Sequence, residues 1–242
     1  MGGRGGDARG SGAAGQVRAL QEVSFTVQAG EILSIVGESG SGKSTLVKII
    51  QGLLAPDSGN VFLDGENRFP LRSQKKMRAV QTIFQDPFAS LNPKLSIGTI
   101  LKEAIAAGDS ENSVSVSELL NSVGLPDDIL DGYPHQFSGG QRQRIGIARC
   151  LALRPKLILA DEPVSALDVS IQAQILNLMM ALNRSGITFI LIAHDLSIVK
   201  HLSTRVIIME NGKKVEENTV SEIFKNPRHV ATQKLFNAIP QL

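Results

Sequence analysis

The sequence predicts an α/β fold built on an open sheet, and three observations carry that prediction. Apolar runs at 31–36, 157–160 and 187–193 have the continuous character of strands buried on both faces. Each is followed by a polar or glycine-rich turn and then by a helical pattern. Between the first run and its helix stands Gly37-Glu38-Ser39-Gly40-Ser41-Gly42-Lys43-Ser44-Thr45, which matches G-x-x-x-x-G-K-[ST] in the strand–loop–helix context that the motif needs.

From the N-terminus, residues 1–16 are a low-complexity Gly/Arg/Ala/Ser segment, read as a disordered tail ahead of a domain spanning 17–242. Alternation over 17–27 predicts a strand, with Phe25 packed in the core. The strand at 31–36 then delivers the glycine-rich loop. Its backbone N–H groups suit the phosphates of a nucleotide, with Lys43 reaching the β- and γ-phosphates and the Ser44 hydroxyl on Mg²⁺. Residues 46–53 continue as an apolar helix, so both flanks argue against a chance match.

The β-branched run 80–84 predicts a strand that ends in Gln85, whose side-chain oxygen suits a position near a metal ion and the attacking water. Helical spacing returns at 95–107 and at 115–125. The second of these opens on a capping box, Ser115-x-x-Glu118, and stops at Gly124 before Pro126; a polar loop at 108–113 joins the two. Next comes Ser138-Gly139-Gly140-Gln141, ahead of an arginine-rich helix at 142–153. Serine is a good N-cap, two glycines let a ligand approach the backbone, and helix-start N–H groups attract anions, although an ordinary loop before a helix reads the same way.

The strand at 157–160 ends in Asp161 and Glu162. Ligands collect at the carboxyl ends of strands in open α/β sheets, so one carboxylate there can hold Mg²⁺ through water while the other orients or deprotonates a water. A strand simply ending in polar residues is the plainer alternative. The helix at 171–182 reads as core. The strand at 187–193 delivers His194, suited to a hydrogen bond with a γ-phosphate, and Asp195. A helix at 196–202, a strand at 205–209, an Asn211-Gly212 hairpin turn into 213–216 and a helix from Val220 complete the chain. Each strand end alone has a structural explanation. Together, a Gly-rich loop, Gln, Asp-Glu and His suit one Mg-ATP.

With these residues in this order, the sequence resembles the nucleotide-binding subunits of ATP-binding cassette (ABC) transporters over about residues 19–229. The Walker A loop falls at 37–45, the Q-loop at Gln85, the signature at 137–141, Walker B ends at Asp161-Glu162, the D-loop is Ser165-Ala166-Leu167-Asp168, and the switch histidine is His194. The segments QDPFASLNP at 85–93, YPHQ at 133–136 and DEPVSALDVSIQAQILNLM from Asp161 are similar to the peptide/nickel importer branch.

The resemblance implies a P-loop NTPase domain of the ABC type, with a RecA-like core, an antiparallel β subdomain and a helical subdomain inserted at about 86–152. It implies ATP and Mg²⁺ as cofactors, with Glu162 as the water-activating base alongside His194 and Gln85, and Ser44, Gln85 and Asp161 toward the metal. It also implies a head-to-tail dimer with an identical or homologous cassette. There the Ser138–Gln141 turn of one subunit covers the ATP of the other, and Asp168 lies at the seam. Two transmembrane permease subunits would dock near the Q-loop, an external substrate-binding protein would act indirectly, and the chain would sit peripherally on the cytoplasmic face of the cell membrane. The expected function is ATP hydrolysis energising import of peptides or of nickel or a metal chelate. A soluble ABC-type ATPase not engaged in transport, or a degenerate cassette, is the alternative.

The sequence departs from the family pattern before Val17, where neither the expected additional strand nor an adenine-stacking aromatic is present. Base–aromatic stacking contributes about 1–3 kcal/mol, so ATP binding is expected to persist at an affinity lowered by about one to two orders of magnitude. Near the other end, Asn226-Pro227-Arg228-His229 follows the branch, but Val-Ala-Thr replaces the expected Pro-Tyr-Thr.

Composition bounds the reading. With 242 residues and 42% hydrophobic content, the chain can bury one substantial core. Residues 1–18 supply the whole net charge of +2, through Arg4, Arg9 and Arg18 against Asp7, so the remainder has no nucleic-acid footprint. A single cysteine, Cys150, excludes an internal disulfide and a cysteine-rich cluster domain. No apolar run approaches the ~20 residues of a membrane helix, and no signal peptide is visible. His135, His201 and His229 show no metal-ligand spacing, and Tyr133, the only tyrosine, is expected to pack rather than act.

Overall fold

The computed structural model describes residues 18–86, 90–108 and 114–237. The tail at 1–16, residues 109–113 of the polar loop and Phe88 of the QDPFASLNP segment lie outside the described residues.

Six strands form one sheet in the order β4-β5-β6-β1-β7-β8. They are β4 (Val80–Ile83), β5 (Leu157–Asp161), β6 (Thr188–Ile192), β1 (Ile32–Val36), β7 (Arg205–Glu210) and β8 (Lys213–Thr219). All neighbours pair in parallel except β7 and β8, which turn back on each other through Asn211-Gly212. The buried parallel strands are the apolar runs of the sequence, and their side chains alternate between two cores as a period of two requires. Ile32, Ile158, Phe189, Leu191 and Val206 face one core; Leu33, Leu159, Ile190, Ile192 and Ile207 face the other. Fully burying each such side chain contributes about 1.5–3 kcal/mol.

Helix α1 (Lys43–Gln51) covers the second core with Leu46, Val47 and Ile50. A short helix, α2 (Gln74–Arg78), leads into β4. The first core is larger. It takes in α3 (Ile97–Ala107), α4 (Val116–Ser122), α5 (Gly139–Leu151), α6 (Val169–Arg184), α7 (Leu196–Leu202) and α8 (Val220–Lys225). A last helix, α9 (Val230–Asn237), follows. The capping box predicted at Ser115 is present, and Ser138 and Gln141 form a second one.

The predicted strand at 17–27 is not formed in its described part, 18–27. Leu20, Val23, Phe25 and Val27 do turn one face onto the second core, so the alternation was real. A strand also needs a neighbouring strand to complete its hydrogen bonds, and among the described residues no strand pairs with this segment, which makes only an isolated backbone bond from Gln21 N–H to Gly212 O. The antiparallel ribbon pairs only β2 (Phe62–Leu63) with β3 (Glu66–Asn67). Tyr133 is 42% exposed and its ring stacks on His135, so what packing it has is at the surface.

Candidate active site

Parallel pairing puts the carboxyl ends of β4, β5, β6 and β1 side by side, which is where Gln85, Asp161-Glu162, His194 and the glycine-rich loop emerge. A cavity of about 650 Å³ opens over β1, β5 and β6. Gly37, Ser39, Gly40, Gly42, Lys43, Ser44 and Thr45 line its floor, and Asp161, Glu162 and His194 line one wall. Glu38 and Ser41 are not among its lining residues. The volume suits a small-molecule ligand of nucleotide size.

The floor is an anion site by construction. Gly42 caps α1 with no side-chain hydrogen bond, so the first N–H groups of the helix are left to a ligand. Lys43 folds back over the loop and donates its Nζ protons to Gly37 O at 2.7 Å and Glu38 O at 2.8 Å. Burial pushes its ammonium pKa down, while Glu162 and Asp161 oppose that shift.

The wall carries the opposite charge. Burial first, then the neighbouring Glu162, holds the Asp161 carboxyl above its ordinary range, with Lys43 pulling it back. Glu162 has φ 46°, in the left-handed region that a residue with a side chain rarely occupies. Its N–H donates to Ile192 O at 3.1 Å, and its Oε1 lies 3.3 Å from His194 Nδ1. Backbone strain of this kind costs about 1–3 kcal/mol and persists only where the surroundings fix it.

Among the described residues no group of three His, Cys, Asp or Glu side chains could hold a metal ion by itself. The donors present are carboxylates and the Ser44 hydroxyl, facing a phosphate-shaped floor. Mg²⁺ is held in this way, by one or two protein oxygens plus substrate phosphates rather than by a full protein cage. The residues fit the ion.

The opposite rim holds residues that sequence reasoning missed: Arg18, Gln21 and Asn211. The Gln21 N–H donates to Gly212 O at 2.8 Å, and the Gly212 N–H to Ser41 O at 3.0 Å. Segment 18–21, the hairpin turn and the loop thus lock together. The fit is tight enough that a Cβ on Gly42 would stand 2.7 Å from Ala19 O. These contacts join residues as far apart in sequence as Gln21 and Gly212, and no local pattern announces them.

Gln85 is exposed at the end of β4 and does not line the cavity. Neither do Ser138, Gly139, Gly140 and Gln141, or Asp168. Ser138 Oγ accepts from the Gln141 N–H at 3.3 Å, and Gln141 Oε1 accepts from the Ser138 N–H at 3.0 Å. Asp168 caps α6 by accepting from the Ile171 N–H at 3.0 Å. Gly140 has a packing reason beside any ligand reason, because a Cβ there would meet Ile171 Cγ2 at 2.4 Å.

Sheet order, loop and carboxylate pair together define a P-loop ATPase with a nucleotide-binding cassette fold. A family model described as ABC transporter matches residues 20–165, and the chain belongs to that family. It is an ABC-type ATPase that binds ATP. The oligopeptide transport ATP-binding protein OppF of Bacillus subtilis (strain 168) is 48% identical, over 93% of this chain and 77% of its own length. The dipeptide transport ATP-binding protein DppF of Haemophilus influenzae is 45% identical over 94% and 72%. Among solved structures, the ATP-binding cassette MJ0796, described as a dimer in a post-hydrolysis state bound to ADP and Pi, aligns with a TM-score of 0.71 at 32% identity over 84% of this chain and 90% of its own. The structure of cbiO1 from Clostridium perfringens, part of the ABC transporter complex cbiONQ, aligns with a TM-score of 0.75 at 27% identity over 92% and 89%. No helix among the described residues is long and apolar enough to cross a membrane.

Proposed function

We propose that the chain hydrolyses ATP to energise import of peptides through a membrane ABC transporter. The observation that carries this is one cavity joining the phosphate-binding loop to Asp161, Glu162 and His194, in a chain whose named relatives are oligopeptide and dipeptide transport proteins. The names of these relatives support peptides as the cargo over nickel or a metal chelate.

In this reading, the loop N–H groups and Lys43 bind the triphosphate; on binding, Lys43 exchanges the loop carbonyls for phosphate oxygens. Ser44 and Asp161 would hold Mg²⁺, with Gln85 approaching once the site closes; the ion would supply neutralisation of phosphate charge. Glu162 orients the attacking water and takes its proton. His194, beside Glu162, holds the γ-phosphate end. Arg18 and Asn211, which also line the cavity, would flank the base.

The turn Ser138–Gln141, with Ser138 and Gln141 exposed at the start of α5, and Asp168, exposed at the start of α6, complete the site of a second cassette in a head-to-tail dimer. Two transmembrane permease subunits hold the pair at the cytoplasmic face of the membrane. They contact the helical insert at about 86–152, and an external binding protein presents the cargo. A tagged chain purified from membranes tests this: integral-membrane subunits should co-purify, and peptide should stimulate ATP hydrolysis. A chain recovered without them, or with nucleic acid, would sink the proposal.

A further inference from the structure

Glu162 is the residue on which hydrolysis turns in the reading above, and it stands in a backbone conformation that does not hold itself. The contacts that fix it lie on either side. Ahead, its N–H is tied to Ile192 O of β6. Behind, the Ser165 N–H and Oγ both donate to the Glu162 carbonyl at 3.2 Å. The next carbonyl, Pro163 O, accepts at 2.7 Å from Gln143 Nε2.

Gln143 is unusual in this chain. It is a glutamine 2% exposed, in the first turns of α5 five residues beyond Ser138. A buried amide needs partners for both of its N–H bonds. Besides Pro163 O, Nε2 reaches Phe84 O at a longer 3.4 Å, the carbonyl immediately before Gln85. One buried amide on the helix that begins at Ser138 therefore ties the chain at Gln85 to the chain at Glu162. On the far side of the same loop, Gln172 Nε2 of α6 donates to Val164 O and Leu167 O at 3.0 Å each. Gln143 supplies the tie directly adjoining Glu162.

We infer that Gln143 is a positioning residue: through Pro163 O it holds Glu162 in its left-handed conformation with the carboxylate on the cavity wall, and through Phe84 O it sets the neighbouring Gln85 strand end in the same frame. It touches no substrate. Because it rides on α5, a displacement of the Ser138–Gln141 turn reaches the chain's own carboxylate through one side chain. This rests on the reading of Glu162 as the base.

The test is a double-mutant cycle on the full chain, measuring steady-state ATP hydrolysis and calorimetric ATP affinity. Gln143→Glu keeps the volume but removes both N–H donors; Gln143→Met keeps length without polarity and stands in if the first variant fails to fold. Either should lower kcat at least tenfold while KM and ATP affinity change less than twofold. In a Glu162→Gln background, the same change should lower the residual rate no further, because the group it positions is already gone. Unchanged kcat, an equal fold-loss in both backgrounds, or parallel loss of kcat and ATP affinity in both Gln143 variants would overturn the inference. A Glu162→Gln chain that hydrolyses at the wild-type rate would instead remove the reading of Glu162 itself.

Discussion

Replacing Gly140 by alanine separates two reasons for a glycine in the signature turn. If the glycine serves only ligand approach, the free chain should tolerate a methyl and gain up to ~1 kcal/mol from better helix propensity. The packing of α5 on α6 argues otherwise. A Cβ at Gly140 would stand 2.4 Å from Ile171 Cγ2, short by about 1 Å of a comfortable carbon–carbon contact. Ile171 is β-branched, hence stiff at χ1, and it is packed against the main core, so the helices must part instead. Overpacking of this kind costs about 1–3 kcal/mol, leaving a net loss of up to ~2 kcal/mol after the propensity gain. For a chain of this size that lowers Tm by up to about 8 °C. Gly139 is the internal control: its Cβ would meet only the end of the Leu167 side chain, at 3.2 Å, so Gly139→Ala should leave Tm unchanged or raise it by up to about 4 °C. Thermal unfolding of the nucleotide-free chains by circular dichroism decides the matter. A Gly140→Ala chain that melts at or above wild type and Gly139→Ala would refute the packing argument.

Other expectations concern charge, capping and reactivity. The raised Asp161 carboxyl binds its proton more tightly in the folded than in the unfolded chain. Its contribution to stability is therefore present at low pH and lost as pH rises through the raised folded value. Asp161→Asn should remove that slope, stabilise the nucleotide-free chain by ~1 kcal/mol at pH 7 and abolish turnover; urea unfolding from pH 4 to 8 would count against this if the difference from wild type were flat. Ser138→Ala breaks the capping box at the start of α5 and should cost ~1 kcal/mol, read as a lower urea midpoint. Arg18→Ala should weaken ATP more than tripolyphosphate in competition binding if Arg18 flanks the base; an equal loss for both would place it at the phosphates. Burial pushes the Cys150 thiol up to about 11, so iodoacetamide at pH 8 should label it only after unfolding; prompt labelling of the native chain would contradict that burial.

How much of this was legible in the sequence follows from the range of each interaction. The strand ends at 161, 192 and 36 and the caps at Ser115 and Ser138 are local, and their patterns mark them within a few residues. Alternation at 18–27 correctly marked which face is buried, but not that the segment goes unpaired, because pairing depends on a neighbour. Arg18 and Asn211 meet at one rim across most of the chain, and neither carries a motif. Gln143 looked like part of an arginine-rich helix; its role depends on Pro163 and Phe84, 20 and 59 residues away. The double use of Gly140, for packing as well as for approach, needed the position of Ile171.

The central claim is that Glu162 converts bound ATP to products in a cavity completed by a second cassette. The most direct measurement takes Glu162→Gln, supplies ATP and Mg²⁺, and records bound nucleotide, product formation and molar mass by light scattering on the same sample. The account predicts ATP bound at wild-type affinity, product formation reduced to a small residual rate, and a doubling of mass on ATP addition. Wild-type product formation, or saturating ATP on a chain that stays monomeric, would contradict it.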